Sequence, residues 1–554
     1  MNDQKPEPPR LPAILADAAR NRGAAFLAAE RDALGLTGRL PPAVLTLDEQ
    51  SQWAYTHLES QPDIVARSVF LERLHDRNET LYFKLLSDHL AELLPVVEGC
   101  AADKAMGQYP VEYGSLRGIY LSIDRPGDIE KSFATLGLGA GDVDVIVCSD
   151  AEQIPGIGDR RGGGMRTATG KLAAYTAGAG IHPRRVIPVS LDAGTDNETL
   201  LSDPFYLGNR HARRRGQDYD MFIERYVQTV SALFPDALLH FAGLSPENAR
   251  KVLRSYGHRY RVFTGAVQGT GAVVLAAVYA AIRATGIPMK HQELLVFGTG
   301  AAGVDVADQL RAAMIADGAT DEQARSQIWL ANTHGLLFDD MDEVRDFQRD
   351  YAKQRSGAPG ASGPGPVRLA DIIEGVAPTI LVGASAVGGT FTREVVQAMC
   401  LATRRPLILP LSAPAAAIEA MPADIITWSG GKALVATSIQ ADPVECEGTT
   451  FTVGQLNDVL VYPGLGLGVI ASQAAKVTPR MLMATASALA EQVDASQPGA
   501  PLLPGIHGLR ASSALAAEAV VRAAVADQVA IFNPTNPTQA VHDAMWRPAY
   551  PDVG

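Results

Sequence analysis

The stretch that most limits how this chain can fold is the apolar run ELLVF, followed at once by Gly298-Thr299-Gly300-Ala301-Ala302-Gly303 and the helical pattern VDVADQLRAAM. A short strand, a glycine turn and a helix in that order make a strand–turn–helix unit. Gly298 permits the turn, Gly300 lets backbone approach a pyrophosphate, and Gly303 lets helix pack on strand. The first helical turn then offers unpaired N–H groups and the positive dipole end to the phosphates. The spacing predicts a Rossmann-like, dinucleotide-binding unit with cofactor contacts from all six turn residues. Ser385, after the apolar run PTILVGA, is assigned to the same cofactor. The strand IWLAN ends at Asn332, where an NAD site usually has an acidic residue for the ribose 2′-hydroxyl. Asn332 can bond that hydroxyl without repelling a 2′-phosphate. NAD is favoured because no arginine adjoins it, and NADP stays open.

The rest of the chain keeps this rhythm. GIYLSI, VDVIVCS, RVIPVSLD, ALLHFAGL, YRVFTGAV and PLILPLS are short β-branched runs with helical sequence between, which predicts parallel α/β architecture. Residues 13–100, including LYFKLLSDHLAELLPVV, carry helical periodicity, and the chain turns Ala-rich and helical after VYPGLGLGVIAS. At 554 residues, one hydrophobic core is not enough. Four regions are expected: helical over 1–117, an α/β substrate domain over 118–269, the Rossmann-like domain over 270–457, and a C-terminal helical part over 458–554 completing the substrate domain. Residues 353–366 read as a flexible loop, and residues 1–10 as a disordered lead-in without a secretory signal.

GAVVLAAVYAAIRATG is apolar nearly all round and predicts a buried helix rather than a membrane partner. A net charge of −13 argues against nucleic acid. Four scattered cysteines without a CxxC pair fit a reducing, cytoplasmic setting and argue against a cysteine-built zinc site. A small-molecule substrate is the expected partner.

Many segments, in order, resemble the large-subunit malic enzyme family: NRGAAF, ERDALGLTGRLPP, ERLHDRNETLYFKLLSDHL, RGIYLSID, GKLAAYTAGAGI, LDAGTDNETLLSDPFYLG, FPDALLHF, VQGTGAVVLA, FGTGAAG and VYPGLGLG. The resemblance implies a Rossmann-like cofactor domain beside a substrate domain, a dimer or tetramer, and oxidative decarboxylation of malate with NAD(P) and a divalent metal. It also implies three metal-binding carboxylates. Two sit in an FED string, which here reads Phe241-Ala242-Gly243. The third sits in NDDIQGT, which here reads Thr264-Gly265-Ala266-Val267-Gln268-Gly269-Thr270. Hard cations need oxygen ligands, so no divalent metal is expected.

Other positions depart in the same way. The family's general-acid tyrosine falls on Glu98, its malate-binding arginine on Gln153, an asparagine beside substrate and nicotinamide on Ala413, and an NN pair on Asn457-Asp458. Lys171 matches the catalytic base, and a partly desolvated lysine can accept a proton. Arg160, Arg161 and Arg166 enter the glycine-rich string before it. Arginine binds carboxylates bidentately, so Arg166, with Gln153, Asn457 and Ala413, is assigned to substrate. Lys171, Asp458 and Glu98 are the catalytic candidates. Glu98 is expected to pair internally with Lys171 or Arg166, and Asp458 to meet a substrate ammonium. The implied function is an NAD(P)-binding oxidoreductase for a bulkier or amine-bearing acid, ordinary malate decarboxylation not being expected. The alternatives are a non-catalytic homologue and a non-redox lyase or decarboxylase that keeps the dinucleotide.

Overall fold

The computed structural model describes residues 11–98, 118–154, 159, 163–356, 358 and 367–551. The lead-in, Arg160, Arg161 and most of the 353–366 loop lie outside them.

The helical start is α1 (Leu47–Glu59), α2 (Ile64–Arg77), α3 (Glu79–Asp88) and α4 (Leu90–Val97). Thr46, Asp63 and Asn78 cap the first three by accepting from N3 backbone N–H groups. The helical run LYFKLLSDHLAELLPVV is divided at His89, whose ring stacks on Tyr55 at 3.6 Å.

Five strands form a wholly parallel sheet in the order β1-β3-β2-β4-β5: β1 (Ile119–Ser122), β2 (Val145–Ser149), β3 (Val186–Asp192), β4 (Leu238–Ala242) and β5 (Val262–Thr264). Parallel strands need crossovers, supplied by α5 (Gly163–Ala179), α6 (Gln217–Leu233) and α7 (Pro246–Tyr256). A π-helical turn, Gly265–Gly269, leads into α8 (Thr270–Thr285). The apolar run Gly265–Thr285 is long enough to cross a membrane, yet two-thirds of it is buried inside the protein, as its all-round apolar pattern predicts.

The second sheet begins with β6 (Leu294–Phe297), followed by α9 (Ala301–Ala316), β7 (Ile328–Asn332), the short β8 (Gly335–Leu336), β9 (Ile380–Gly383), β10 (Leu407–Pro410) and β11 (Leu434–Thr437). A hairpin, β12 (Val444–Cys446) with β13 (Thr449–Phe451), precedes the edge strand β14 (Gly454–Gln455). The sheet order is β14-β11-β10-β9-β6-β7-β8, parallel except for β8.

The C-terminal helices are α10 (Tyr462–Ser472), α11 (Pro479–Ala490) and α12 (Leu509–Ala526). The GLGLG string is explained by contact. A Cβ at Gly464 would lie 2.8 Å from Ala516 Cβ, and one at Gly468 would lie 2.5 Å from Val520 Cβ. One at Gly466 would meet the Tyr175 ring at 2.6 Å. The helix α10 is therefore packed backbone-close between α12 and α5, and one buried cluster runs from α3 through α8 to α12.

Candidate active site

The cofactor turn sits where strand order reverses, between β6 and β9, the place such sheets bind ligands. Gly298 has φ +138, and a Cβ there would lie 2.3 Å from Ala384 O. A Cβ at Gly303 would lie 2.1 Å from Gly298 O, so both glycines serve packing. Nothing stands within 4 Å of a Cβ at Gly300, which opens space before the helix. That helix has no side-chain cap, so its first N–H groups face outward for an anion. This donor set fits a pyrophosphate. Thr299 O accepts from Gln348 Nε2 at 2.6 Å, and Asn332 Oδ1 accepts from His334 N at 2.8 Å.

Ser385 is anchored rather than free. Its N and Oγ both donate to Glu419 Oε1 at 2.9 Å, joined by Ser412 Oγ at 2.5 Å, and Ser412 N donates to Oε2 at 3.3 Å. Glu419 is fully buried, and a Cβ at Gly383 would lie 2.5 Å from its Cδ. This carboxylate ties the loop after β9 to the loop after β10, where Ala413 is exposed. Sequence reasoning missed Glu419; the available signal was one acid inside the apolar run APAAAIEAM.

The charged centre lies between α5 and the turn before α10. Lys171 Nζ donates to Asp458 Oδ1 at 3.1 Å and Oδ2 at 3.2 Å, and sits 4.5 Å from the Tyr462 ring centroid. Tyr462 Oη donates to Glu98 Oε1 at 3.3 Å. One helical turn after Lys171, Tyr175 Oη meets His240 Nδ1 at 3.1 Å. His240 is fully buried on β4, and its Nε2 has no partner. Gly265 completes the centre: a Cβ there would lie 2.9 Å from Asp458 Oδ2 and 3.3 Å from His240 Nε2. The Asp458 carboxylate thus fills the space a side chain at 265 would take.

Burial sets the protonation around that pair. It raises Glu98, with Asp458 adding to the rise and Lys171 and Tyr462 opposing it. It lowers His240 well below its usual range, helped by the Lys171 charge, so the imidazole is neutral. It raises Tyr175 and Tyr462 well above theirs.

Several expectations are corrected here. Asp458, expected to meet a ligand ammonium, is the partner of Lys171, and Glu98 accepts from Tyr462. Arg166 does not join the cluster. It lies inside α5, because Gly164 lets the helix start against β2 and β3: a Cβ there would lie 2.9 Å from Ser149 O and 3.0 Å from Ser190 Oγ. From that position the Arg166 guanidinium reaches Ser68 Oγ at 3.1 Å and Glu72 at 3.8 Å on α2. Asn457 Oδ1 caps Val459 N at 3.0 Å. Gln153 is exposed, and its N donates to Gly243 O at 2.8 Å.

That last bond joins the loops after β2 and β4, at the first sheet's own strand-order reversal. Gly243 has φ +67, and a Cβ there would lie 2.8 Å from Ser149 Oγ. Nearby, the buried Asp150 accepts from Tyr219 Oη at 2.6 Å and Glu152 N at 3.0 Å; burial pushes it up to about 6. Sequence reasoning missed this acid too.

The donor chemistry does not fit a divalent metal. Ala242, Gly243 and Ala266 carry no donor, Asp458 is engaged by Lys171, and no metal-binding group of three or more His, Cys, Asp or Glu occurs among the described residues.

A Rossmann-like sheet with an open glycine turn, set against a second parallel sheet with a lysine–carboxylate pair, defines a dinucleotide-binding α/β protein. Residues 75–257 match the family model "Malic enzyme, N-terminal domain", and residues 267–525 match "Malic enzyme, NAD binding domain". The chain is 54% identical over 542 residues to a Mycobacterium tuberculosis protein provisionally named a malate oxidoreductase (NAD), covering 98% of this chain and 99% of that one. It is 44% identical to NAD-dependent malic enzyme 3 of Bacillus subtilis, covering 96% and 95%, and 40% identical to the malolactic enzyme of Lactiplantibacillus plantarum, covering 96% of each. The crystal structure of Entamoeba histolytica malic enzyme shares the fold, with TM-score 0.55 and 18% identity over 92% of this chain and 90% of that one. The chain belongs to the malic enzyme family.

Proposed function

We propose that this protein is an NAD-dependent oxidoreductase of malic enzyme fold that works without a divalent metal on a monocarboxylic 2-hydroxy acid bulkier than malate. The observation carrying this reading is the Lys171–Asp458 pair, with the Asp458 carboxylate in the space beside Gly265. Without a metal or an arginine at 153, nothing in the centre balances a second substrate carboxylate. The alanines at 242 and 266, where the family resemblance places longer acidic side chains, favour a larger substituent, whereas the space at 243 and 265 is taken by Ser149 Oγ and Asp458.

NAD, when bound, supplies the hydride acceptor. Lys171 Nζ, an ammonium in its pair with Asp458, relays the proton: it hands one N–H proton to the Asp458 carboxylate and takes the proton of the substrate hydroxyl as hydride leaves the adjoining carbon. Asp458 orients Nζ and holds the proton so relayed. Neutral His240 and Tyr175 close the rear of the centre, and Glu98, kept high by burial, is a proton reservoir on the far side of Tyr462.

The test is a panel of monocarboxylic 2-hydroxy acids, the matching amino acids, and malate, each with NAD and a chelator, read at the absorbance of reduced nicotinamide. A monocarboxylic hydroxy acid should reduce NAD with chelator present, and Lys171→Met should abolish the signal. Malate turnover that requires Mn²⁺ would overturn the reading. A protein that binds NAD but oxidises nothing on the panel would instead support the non-catalytic homologue.

A further inference from the structure

At the end of the second sheet opposite the cofactor turn lies a cleft of about 390 Å³. Arg404 and Arg405 reach it from just before β10, and Lys432 from just before β11. Phe451 of β13, Thr452 and Leu502 complete its wall. The chain carries 61 acidic against 48 basic residues, so a basic residue here usually finds a carboxylate. Yet among the described residues none of these three cations makes an ion pair. Arg405 reaches only the Ala284 carbonyl, at a long 3.5 Å, near the end of α8. The cleft is of a size that ligand pockets commonly have.

We propose that this cleft binds a small phosphate-bearing anion with an apolar body. The Arg404 guanidinium and the Lys432 ammonium suit phosphate oxygens, with Arg405 adding charge from the α8 side, while the Phe451 ring and Leu502 offer an apolar wall to the rest of the ligand. The cofactor's phosphates belong at the opposite edge of the sheet, at the turn after β6, so the two sites are separate. The ligand would bridge the cofactor sheet and the segment leading to α12, and its binding should stabilise the join between them.

The experiment uses the full chain with saturating NAD, so that the cofactor turn is filled. Melting temperature is measured with inorganic pyrophosphate, ADP, citrate, and sodium chloride at matched ionic strength. Pyrophosphate and ADP should raise it, ADP at the lower concentration, and chloride should not. Citrate matching pyrophosphate would overturn the phosphate assignment. Arg404→Gln with Lys432→Gln should weaken ADP at least about tenfold, as loss of two charge-assisted contacts implies. A substitution at Gly300 should leave the ADP effect intact. An ADP effect that survives the Arg404/Lys432 double variant, or that chloride reproduces, would refute the site.

Discussion

Gly265 and Asp458 share one space, and that makes their side chains thermodynamically coupled. The perturbation is a cycle of Gly265→Asp, Asp458→Asn and the double variant. Asp458→Asn removes the carboxylate from a pair whose side chains are only 16% and 20% exposed. Breaking a fully buried pair costs about 3–5 kcal/mol and a surface pair at most about 1, so about 2 kcal/mol is expected here. Gly265→Asp forces a Cβ to 2.9 Å from Asp458 Oδ2 and sets a second carboxylate beside the first. Overpacking costs about 1–3 kcal/mol and like charges add to it, giving about 3 kcal/mol. In the double variant the carboxylate at 265 meets Lys171, while the neutral amide at position 458 withdraws the competing charge. The expected cost is about 2 kcal/mol, a coupling of about 3 against the summed singles. The assays are the denaturation midpoint of each variant and the acylation rate of Lys171, read by mass spectrometry. Lys171 should react faster in Asp458→Asn and return towards the parent rate in the double variant. Energies that add within about 0.5 kcal/mol, with Lys171 reactivity unchanged across the cycle, would refute the shared-space argument.

Four further outcomes follow from the same structure. Gly300→Leu should abolish the NAD-induced rise in melting temperature without lowering the melting temperature itself. Gly303→Ala, whose Cβ would lie 2.1 Å from Gly298 O, should destabilise the fold by about 3 kcal/mol, read as a lower midpoint. Glu419→Gln weakens the acceptor for four donors from Ser385 and Ser412, so about 2 kcal/mol of stability and about tenfold in NAD affinity should be lost, measured by denaturation and titration. The Asp150 carboxyl is raised from 3.8 to about 6. The folded state therefore binds its proton more tightly than the unfolded state, and stability should fall as pH rises from about 4 to about 6, by about 3 kcal/mol. Asp150→Asn should flatten that slope.

What the sequence made legible was local. The glycine turn after ELLVF announces itself because its three glycines each answer a short-range need, and the strand runs show because β-branched residues cluster in them. The charged centre was not legible in the same way. Lys171 and Asp458 are 287 residues apart, and no periodicity reports which carboxylate a lysine will face across two elements. The glycine-rich string that holds Arg166 carries no helical signal, because glycines at 163 and 164 disfavour a helix. Tertiary packing against Ser149 and Ser190 reverses that preference. Glu419 and Asp150 were passed over because a buried acid is marked only by the donors it collects, and those come from distant loops. The strands β12 to β14 were missed because they are two or three residues long.

The left-handed turn at Gly243 bears on what it would cost this scaffold to carry a carboxylate there. A carboxylate at 243 must accept φ +67 and displace Ser149 Oγ. That acid installed singly lowers stability before any cation can reward it. A cation site at 242, 243 and 266 therefore lies across a valley in sequence space, reachable only by several simultaneous changes that include 149. An engineer starting from this scaffold would have to change 149 together with the three carboxylates rather than rebuild a cation site one carboxylate at a time.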